Sequence, residues 1–496
     1  MNVMFLKKQL FLFLLISCQL SGASVRIYQY SPEVKPSVRY SLKAAGLSVL
    51  VMDSPIPAAF AAFETDQAVQ IEIECTQDVK WVDVRPLRLG IKPTIKDNKI
   101  TFTIPAPGKY SVEINGKLDY PLFIFANPKE IKPEKTDPGV IYFEAGKIYK
   151  PGVIHPKSNQ QIYIEGGAIV IGAIAAQGVE NVKVSGYGIL DGTFNNQLSD
   201  NEMTKMFSSD GGYTVPNKYQ RFVEFIDSKN LTFEGVILSN STTWQVVPIN
   251  CDSVIIKDLK IVSDNPSDDG IDIVRSRKVM ISDCFIRTKD DCIAIKAHLD
   301  YPDSVIVDNV SVEKCIFWNA AWGNGLEIGF ELQSAEVKNI TFSDCDLIHV
   351  ESGAVFSIHN SDKATVKNVL YKNIRIEDAR QKLVDLAIFR SRYCTDGSSD
   401  PEYIKRNYLD GAWDGVLKTP ENEKAYHAQF RGKIENIRFE NISIQGIFPF
   451  SIIAGYDENH PVSGVTFINI LNNGAKIQST EDLKLYSEYA KNITIQ

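Results

Sequence analysis

The sequence predicts an all-β chain: a right-handed parallel β-helix preceded by a small N-terminal β-sandwich. Three observations predict it. Short strands with period-two apolar patterning alternate with turn residues through the first part of the chain. From about residue 139 a loose repeat sets in, each unit β-rich and too short for two packed helices with their loops. Cysteines then recur at one place in successive units, as stacked positions do in a solenoid.

The first element is a targeting segment over residues 1–23. Lys7 and Lys8 precede an apolar run from Leu10 to Ile16 that is too short to span a bilayer. Two cleavage readings are open. Ser21-Gly22-Ala23 is a small-x-small site that would release the protein. Leu15-Ile16-Ser17-Cys18 resembles a bacterial lipobox, which would add a lipid anchor through Cys18. Either way export is expected, to a periplasmic, secreted or outer-membrane lipoprotein location. No later stretch is long and apolar enough to be transmembrane.

The second element is the sandwich, residues 24–127. Val69-Gln70-Ile71-Glu72-Ile73 and Ile100-Thr101-Phe102-Thr103-Ile104 alternate strictly, with Asp97-Asn98 and Pro105-Ala106-Pro107-Gly108 as turns. Residues 128–138, rich in Pro and Lys, read as a linker. The third element is the β-helix, 139–496. Its units are marked by Val182, Leu231, Val254, Val279, Val310, Ile340, Val369, Ile437 and Val465. Most spacings are 23–31 residues. The 49 before Leu231 and the 68 before Ile437 hold either two coils or an inserted loop. Cys284, Cys315 and Cys345 each fall five residues after a marker and read as stacked buried thiols. No CxxC pair is present, so no zinc site is expected. The Asn-x-Ser/Thr sequons mostly fall at the repeat's own turn, where a stacked Asn bonds turn backbone.

Composition narrows the function. The 496 residues carry 61 acidic and 53 basic side chains, a net charge of −8, so no nucleic-acid partner is expected. Hydrophobic residues at 44% rule out a disordered scaffold. The chemistry lies in Asn265-Pro266-Ser267-Asp268-Asp269-Gly270-Ile271-Asp272 and Thr288-Lys289-Asp290-Asp291-Cys292-Ile293-Ala294-Ile295-Lys296. Asp269 and Asp290 are about one coil apart, so they fall on adjacent coils of one face, at turns on the outer surface. Crowding like charges raises at least one carboxyl pKa, an arrangement most tolerable at a functional site. Solvated turn acids or a calcium site are the alternatives. A protonated and an ionised carboxyl together suit glycoside hydrolysis, one protonating the leaving oxygen and the other activating water.

These motifs, with Gly323-Asn324-Gly325-Leu326-Glu327-Ile328-Gly329 and Gly186-Tyr187-Gly188-Ile189-Leu190-Asp191-Gly192, resemble glycoside hydrolase family 28, the polygalacturonase family. The resemblance covers roughly residues 139–380. A sandwich before a β-helix is also similar to the dextranase/isopullulanase layout. The resemblance implies an inverting hydrolase without a cofactor, Asp290 as general acid, and Asp269 and Asp291 as the residues that position and deprotonate water. Two positions depart from it. The family histidine of Gly-His-Gly is Asn324, which bonds carboxyls or hydroxyls but carries no proton at neutral pH. The family's uronate-binding Arg-Ile-Lys is matched by Ser357-Ile358-His359. The substrate expected is therefore a polysaccharide or oligosaccharide other than plain polygalacturonate, with Arg375, Arg390 or Arg392 on later coils as the alternative source of a uronate-binding cation.

Substrate-binding candidates are Asn324, Lys296, Glu327, His359 and Trp322. Trp244 and Trp318 are further sugar-stacking candidates, and Lys296 is expected to pair with an Asp. The insert from Cys394 to Lys433, with Tyr403, Trp413 and His427, has the length of a functional loop. A lyase or epimerase on the same scaffold, or a non-catalytic carbohydrate-binding β-helix, are the competing functions. The protein is expected to be a monomer.

Overall fold

The computed structural model describes residues 25–54, 56–193, 221–241, 243–298, 301–398, 400–407 and 415–496. The targeting segment, Cys18 and Trp413 lie outside the described residues. No helix among the described residues is long and apolar enough to cross a membrane.

Strands between Arg26 and Asn127 form two sheets. One pairs Tyr40–Ala44, Val69–Cys75 and Lys99–Ile104 antiparallel. The other contains Ala59–Glu64, Leu122–Asn127 and Gly108–Ile114. Period two decides what each sheet buries. In Val69–Cys75 the residues Val69, Ile71 and Ile73 are buried and Gln70 and Glu74 are exposed. The inward residues meet Val112, Leu122 and Ile124 of the facing sheet in one core, which makes the unit a sandwich.

From Val140 onward a single 30-stranded sheet winds coil upon coil, a parallel β-helix. The repeat markers Val182 to Val465 stand directly opposite one another on successive coils, and Ile493 extends the row. Val182 pairs with Leu231 and Val369 with Ile437. Each long interval is therefore one coil carrying an insertion rather than two coils. The residue before each marker takes a left-handed conformation, as at Asn181, Asn230, Asn339, Asn368 and Asn436. Their side chains form a ladder: Asn230 Nδ2 donates to Asn181 Oδ1, Asn368 to Asn339 and Asn436 to Asn368. The sequon asparagines Asn230 and Asn339 thus stand within strands, each at a left-handed kink, and not at the turn expected from the sequence. Cys284, Cys315 and Cys345 are free and fully buried, and the Cys284 N–H points at Cys315 Sγ at 3.4 Å.

The sandwich packs onto one flank of the β-helix. Phe60, Phe123 and Phe125 meet Ile237, Phe285, Trp318 and Ile348. The Phe123 ring lies 4.9 Å from Phe285 and edge-on to Trp318 at 5.8 Å. Trp318 is thus not available to stack on a sugar. It is fully buried and donates Nε1–H to Glu351 Oε1 at 2.8 Å. The coil sequence alone shows no sign of what covers this flank. Ion pairs frame the seam: Arg85 to Glu113 at 2.9 Å and Glu377 at 2.7 Å, and His349 between Glu113 at 3.0 Å and Asp378 at 2.9 Å.

Phe123→Ala should lower stability by about 3–5 kcal/mol, because the hole opens in the centre of this apolar seam. Urea unfolding measures it. A loss under about 1 kcal/mol would show that the sandwich contributes little to the stability of the β-helix.

Candidate active site

The strands Ile271–Val274, Ile293–Ala297, Leu326–Leu332, Ala354–Asn360 and Lys382–Ile388 are successive rungs of one face. Alternation sends Ile271, Ile273, Ile293, Ile295, Leu326, Ile328, Phe356 and Ile358 into the core. The intervening positions turn to the opposite side: Asp272, Lys296, Glu327, His359 and Asp385. Register stacks Asp272 on Ala294, Ala294 on Glu327, Glu327 on Ser357 and Ser357 on Asp385.

The acids sit in the turns that enter these strands. Ile271 pairs with Ile293, so Asp269 and Asp291, two residues earlier on each chain segment, share one position on neighbouring coils. The Gly270 N–H donates to Asp291 O at 2.9 Å and fixes that alignment. The pair is not on a solvated outer turn, as the sequence suggested. Asp269 is 3% exposed and Asp291 4%, while Asp290 is half-buried. The turns are drawn inward by Asp268. Its Oδ1 accepts the N–H groups of Lys289 at 2.9 Å and Asp290 at 3.0 Å, and its Oδ2 accepts that of Asn265 at 2.8 Å.

One glycine is required here. Gly323 has φ +63°, and a Cβ on it would lie 2.4 Å from the Asp291 nitrogen and 2.5 Å from Asp290 Oδ1. Its absence lets Asn324 approach. The Asn324 N–H donates to Asp291 Oδ1 at 2.6 Å, and Nδ2 donates to Asp291 Oδ1 at 3.2 Å and Glu327 Oε2 at 3.0 Å. Asn324 Oδ1 accepts the Ala354 N–H at 2.9 Å. Its whole amide is therefore committed to holding the cluster.

Burial raises the carboxyl pKa values first, and neighbouring charge adds to it. Asp269 lies well above the usual carboxylate range through burial, then Asp272 and Asp290, with Lys296 opposing. Asp291 is raised in the same way by burial, Asp290 and Glu327. Asp290 is raised by burial, against Lys296 and the N–H groups of Asp291 and Ser267. Asp272 is pushed up to about 7 by burial, against Lys296 and Arg221. For His359 burial works downward, but Glu327 and Asp385 outweigh it and hold the imidazole up at about 10. Such a cluster retains protons at a pH where an ordinary aspartate has lost them. It can present a protonated and an ionised carboxyl together.

Asp269, Asp290, Asp291, Asn324, Glu327, Lys296 and His359 are thus brought together on one face. Lys296 Nζ stands 3.5 Å from Glu331 Oε2 and 4.0 Å from Asp269 Oδ2. It thus pairs with an Asp as expected and, more closely, with a Glu. Trp322 is 48% exposed, and its N–H donates to Lys289 O beside Asp290. Trp244 is buried, with Lys296 Nζ 4.9 Å from its ring centre, and stands edge-on to His298. His298 is neutral, burial pulling it down to about 3. Sequence reasoning missed Asp268, Asp272 and Asp385 as members of the cluster. Strict alternation from Ile271 could have found Asp272. Asp385 lies in no motif and joins only through register.

Residues 158–400 match the family model described as Glycosyl hydrolases family 28, and the whole cluster falls within that span. A polygalacturonase of Juniperus ashei is 26% identical over 43% of this chain and 40% of its own length. An exopolygalacturonase of Zea mays is 26% identical over 49% of this chain and 57% of its own length. The chain thus spans about half the length of the curated relatives it matches. Dex49A from Penicillium minioluteum has the same fold. It covers 95% of this chain and 96% of its own, with a TM-score of 0.59 and 16% identity. The exopolygalacturonase from Thermotoga maritima covers 68% of this chain and 84% of its own, with a TM-score of 0.51 and 18% identity. The resemblance read from the motifs is borne out.

Asp272 yields a test of the buried-acid arrangement. Its raised pKa means that the folded state keeps a proton which the unfolded chain loses near pH 4. Its ionisation therefore costs the fold increasingly between about pH 4 and pH 7. Asp272→Asn should gain up to about 4 kcal/mol of stability at pH 8 and almost nothing at pH 4. Urea unfolding at both pH values reads this. An equal change at the two would contradict a buried carboxyl with a raised pKa.

Proposed function

We propose that this chain, of the glycosyl hydrolase family 28 type over residues 158–400, is an exported glycoside hydrolase that cleaves a polysaccharide with inversion. The carrying observation is the stacking of Asp269 on Asp291, with Asp290 beside them as the more open carboxyl. Asp290, half-buried and raised in pKa, is placed to protonate the leaving oxygen. Asp269 and Asp291 hold and deprotonate the attacking water from the opposite side of the bond. Lys296 stabilises the ionised form within the cluster, since its charge opposes the rise of all three carboxyl pKa values. Asn324 orients Asp291 through two hydrogen bonds. Trp322 offers an exposed ring to a sugar face.

The lyase reading needs a base and a cation free to neutralise a uronate. Lys296, His359 and Lys382 on this face are each paired with a carboxylate, which favours the hydrolase.

Asp290→Asn should remove reducing-end release from a responsive polysaccharide by about 10²-fold or more while the fold survives. Unchanged turnover would overturn the assignment of the acid. The first-formed product, followed by NMR, should carry the opposite anomeric configuration to the substrate. Net retention would overturn the direct attack of water. An unsaturated product absorbing in the ultraviolet would replace hydrolysis by elimination.

A further inference from the structure

Both peptide groups of Asp290 are held by side chains rather than by a neighbouring strand, and they are held from two directions. From the coil before, Asp268 Oδ1 accepts the N–H groups of Lys289 at 2.9 Å and Asp290 at 3.0 Å. Register places Asp268 level with Asp290, because Ile271 and Ile293, three residues on from each, are paired. From the coil after, Asn319 Nδ2 donates to Asp290 O at 2.8 Å and to Trp322 O at 2.6 Å. Thr288 Oγ1 also donates to Asp290 O, at 2.8 Å. Thr288 and Asn319 are paired across the coils and end the strands Phe285–Thr288 and Ile316–Asn319. Each thus stands where its chain enters the turn.

Burial shows what these side chains are for. Asp268, Thr288 and Asn319 are fully buried, so none of them reaches a substrate. Asn319 directs its amide nitrogen at two carbonyls, while its Oδ1 is buried without a hydrogen-bond partner among the described residues. An orphaned buried acceptor costs stability, and an apolar side chain of the same size would fill the space without that cost. Packing therefore does not account for an asparagine here, and the two donated bonds do. The same amide fixes the neighbouring ring. Trp322 returns its backbone N–H to Lys289 O at 2.8 Å, and the Lys289 ammonium stands 4.9 Å from the ring centre. With its backbone fixed, the Asp290 carboxyl keeps only its own two side-chain torsions. Proton transfer needs the acid within hydrogen-bond reach of the oxygen it protonates, and a misplacement of about 1 Å can cost about 10²-fold in rate.

We propose that Asp268 and Asn319 are positioning residues that aim the Asp290 carboxyl at the leaving oxygen, and that Asn319 also sets the Trp322 ring on the leaving-group side of the bond. The inference rests on Asp290 being the acid of the hydrolase reading above. In the step concerned, the bond from the anomeric carbon to the glycosidic oxygen breaks and its electron pair stays with that oxygen. The Asp290 proton joins the oxygen there. Water forms the new bond to the carbon and gives its own proton to the pair Asp269 and Asp291.

An activated leaving group isolates this step, since a dinitrophenolate departs without a proton. Reducing-end release from polygalacturonate, its methyl ester, galactans and glucans identifies the polysaccharide cleaved. The dinitrophenyl glycoside of the shortest oligosaccharide cleaved is the activated substrate. On the polysaccharide, Asp268→Ala and Asn319→Ala should each lower kcat by about tenfold to a hundredfold, but on the aryl glycoside by less than about threefold. Asp268→Asn keeps an acceptor for the two N–H groups and should stay within about threefold of the wild type on both. KM should rise by about threefold or more in Asn319→Ala, through the shifted ring, and hold in Asp268→Ala. Equal losses on the two substrates would make the role one of folding and overturn the positioning, as would an unchanged kcat on the polysaccharide in a folded variant. An unmoved KM in Asn319→Ala overturns the link to Trp322. If Asp268→Ala does not fold, Asn319→Ala and Thr288→Val, which strip donors from the same carbonyl, decide in its place. A wild-type chain that releases no reducing ends, or an Asp290→Asn protein that loses nothing on the polysaccharide, sinks the hydrolase reading itself.

Discussion

The register between parallel coils is the constraint on which everything else in this molecule depends. Each coil satisfies its backbone groups on the next, so a strand has no independent position. A slip of one residue would send Asp272 and Glu327 into the core and Ile271 and Leu326 out of it. The markers hold that register from Val182 to Ile493 through apolar stacking inside, helped over some coils by paired asparagines beside them. The site draws on five coils. Its geometry is therefore a property of the stack and not of any loop. Gly353 shows how tightly the stack closes: a Cβ there would meet the Gly323 carbonyl oxygen at 1.9 Å, immediately behind Asn324.

Against that scaffold the acids work in the opposite direction. Asp269, Asp272 and Asp291 are buried beside one another, and no nearby cation matches them one for one. Lys296 opposes the rise in all three pKa values, and peptide N–H groups or Asn324 take part of the remaining load. The fold bears this because its stabilising contacts lie elsewhere. The apolar core is continuous through the coils, and the sandwich seals the flank around Phe285 and Trp318. The stable back and the strained cleft are two sides of one stack. Local strain of this kind is what an active site requires and a structural turn does not.

Much of this was legible in the sequence because a solenoid writes its period into the chain. Nine markers chosen by their Asn-apolar pattern are all in register. The Asp269, Asp291 and Gly323-Asn324 motifs meet because each enters a rung at the same point. What the sequence concealed follows from contacts between distant segments. The two long intervals have no local sign distinguishing an insertion from an extra coil; only the pairings of Val182 with Leu231 and Val369 with Ile437 decide it. Trp318 looks like any aromatic on a coil until Phe123, nearly two hundred residues earlier, covers it. The acids read as solvated turn residues because burial comes from Asp268 gathering the N–H groups of the next coil. Asp385 lacks a motif, and it joins the cluster only through its ion pair with His359 one rung away.

The exchange of a histidine for Asn324 also reshapes which groups can move a proton. Asn324 spends its amide on Asp291, Glu327 and the Ala354 N–H, and it has no proton to yield at neutral pH. His359 stands one coil further on, but Glu327 and Asp385 hold it up at about 10, so it stays charged across the neutral range. His298, two residues beyond Lys296 at the same end of the rung, is held down at about 3 and stays uncharged. Neither imidazole near the cleft therefore titrates near neutrality, where histidine ordinarily would. The groups poised there are buried carboxyls, Asp268 and Asp272, each pushed up to about 7 by burial, while Asp269, Asp290 and Asp291 are raised above the usual carboxylate range. The groups poised near neutrality on this face are thus carboxyls, and the two imidazoles stand around them as fixed charge and fixed packing.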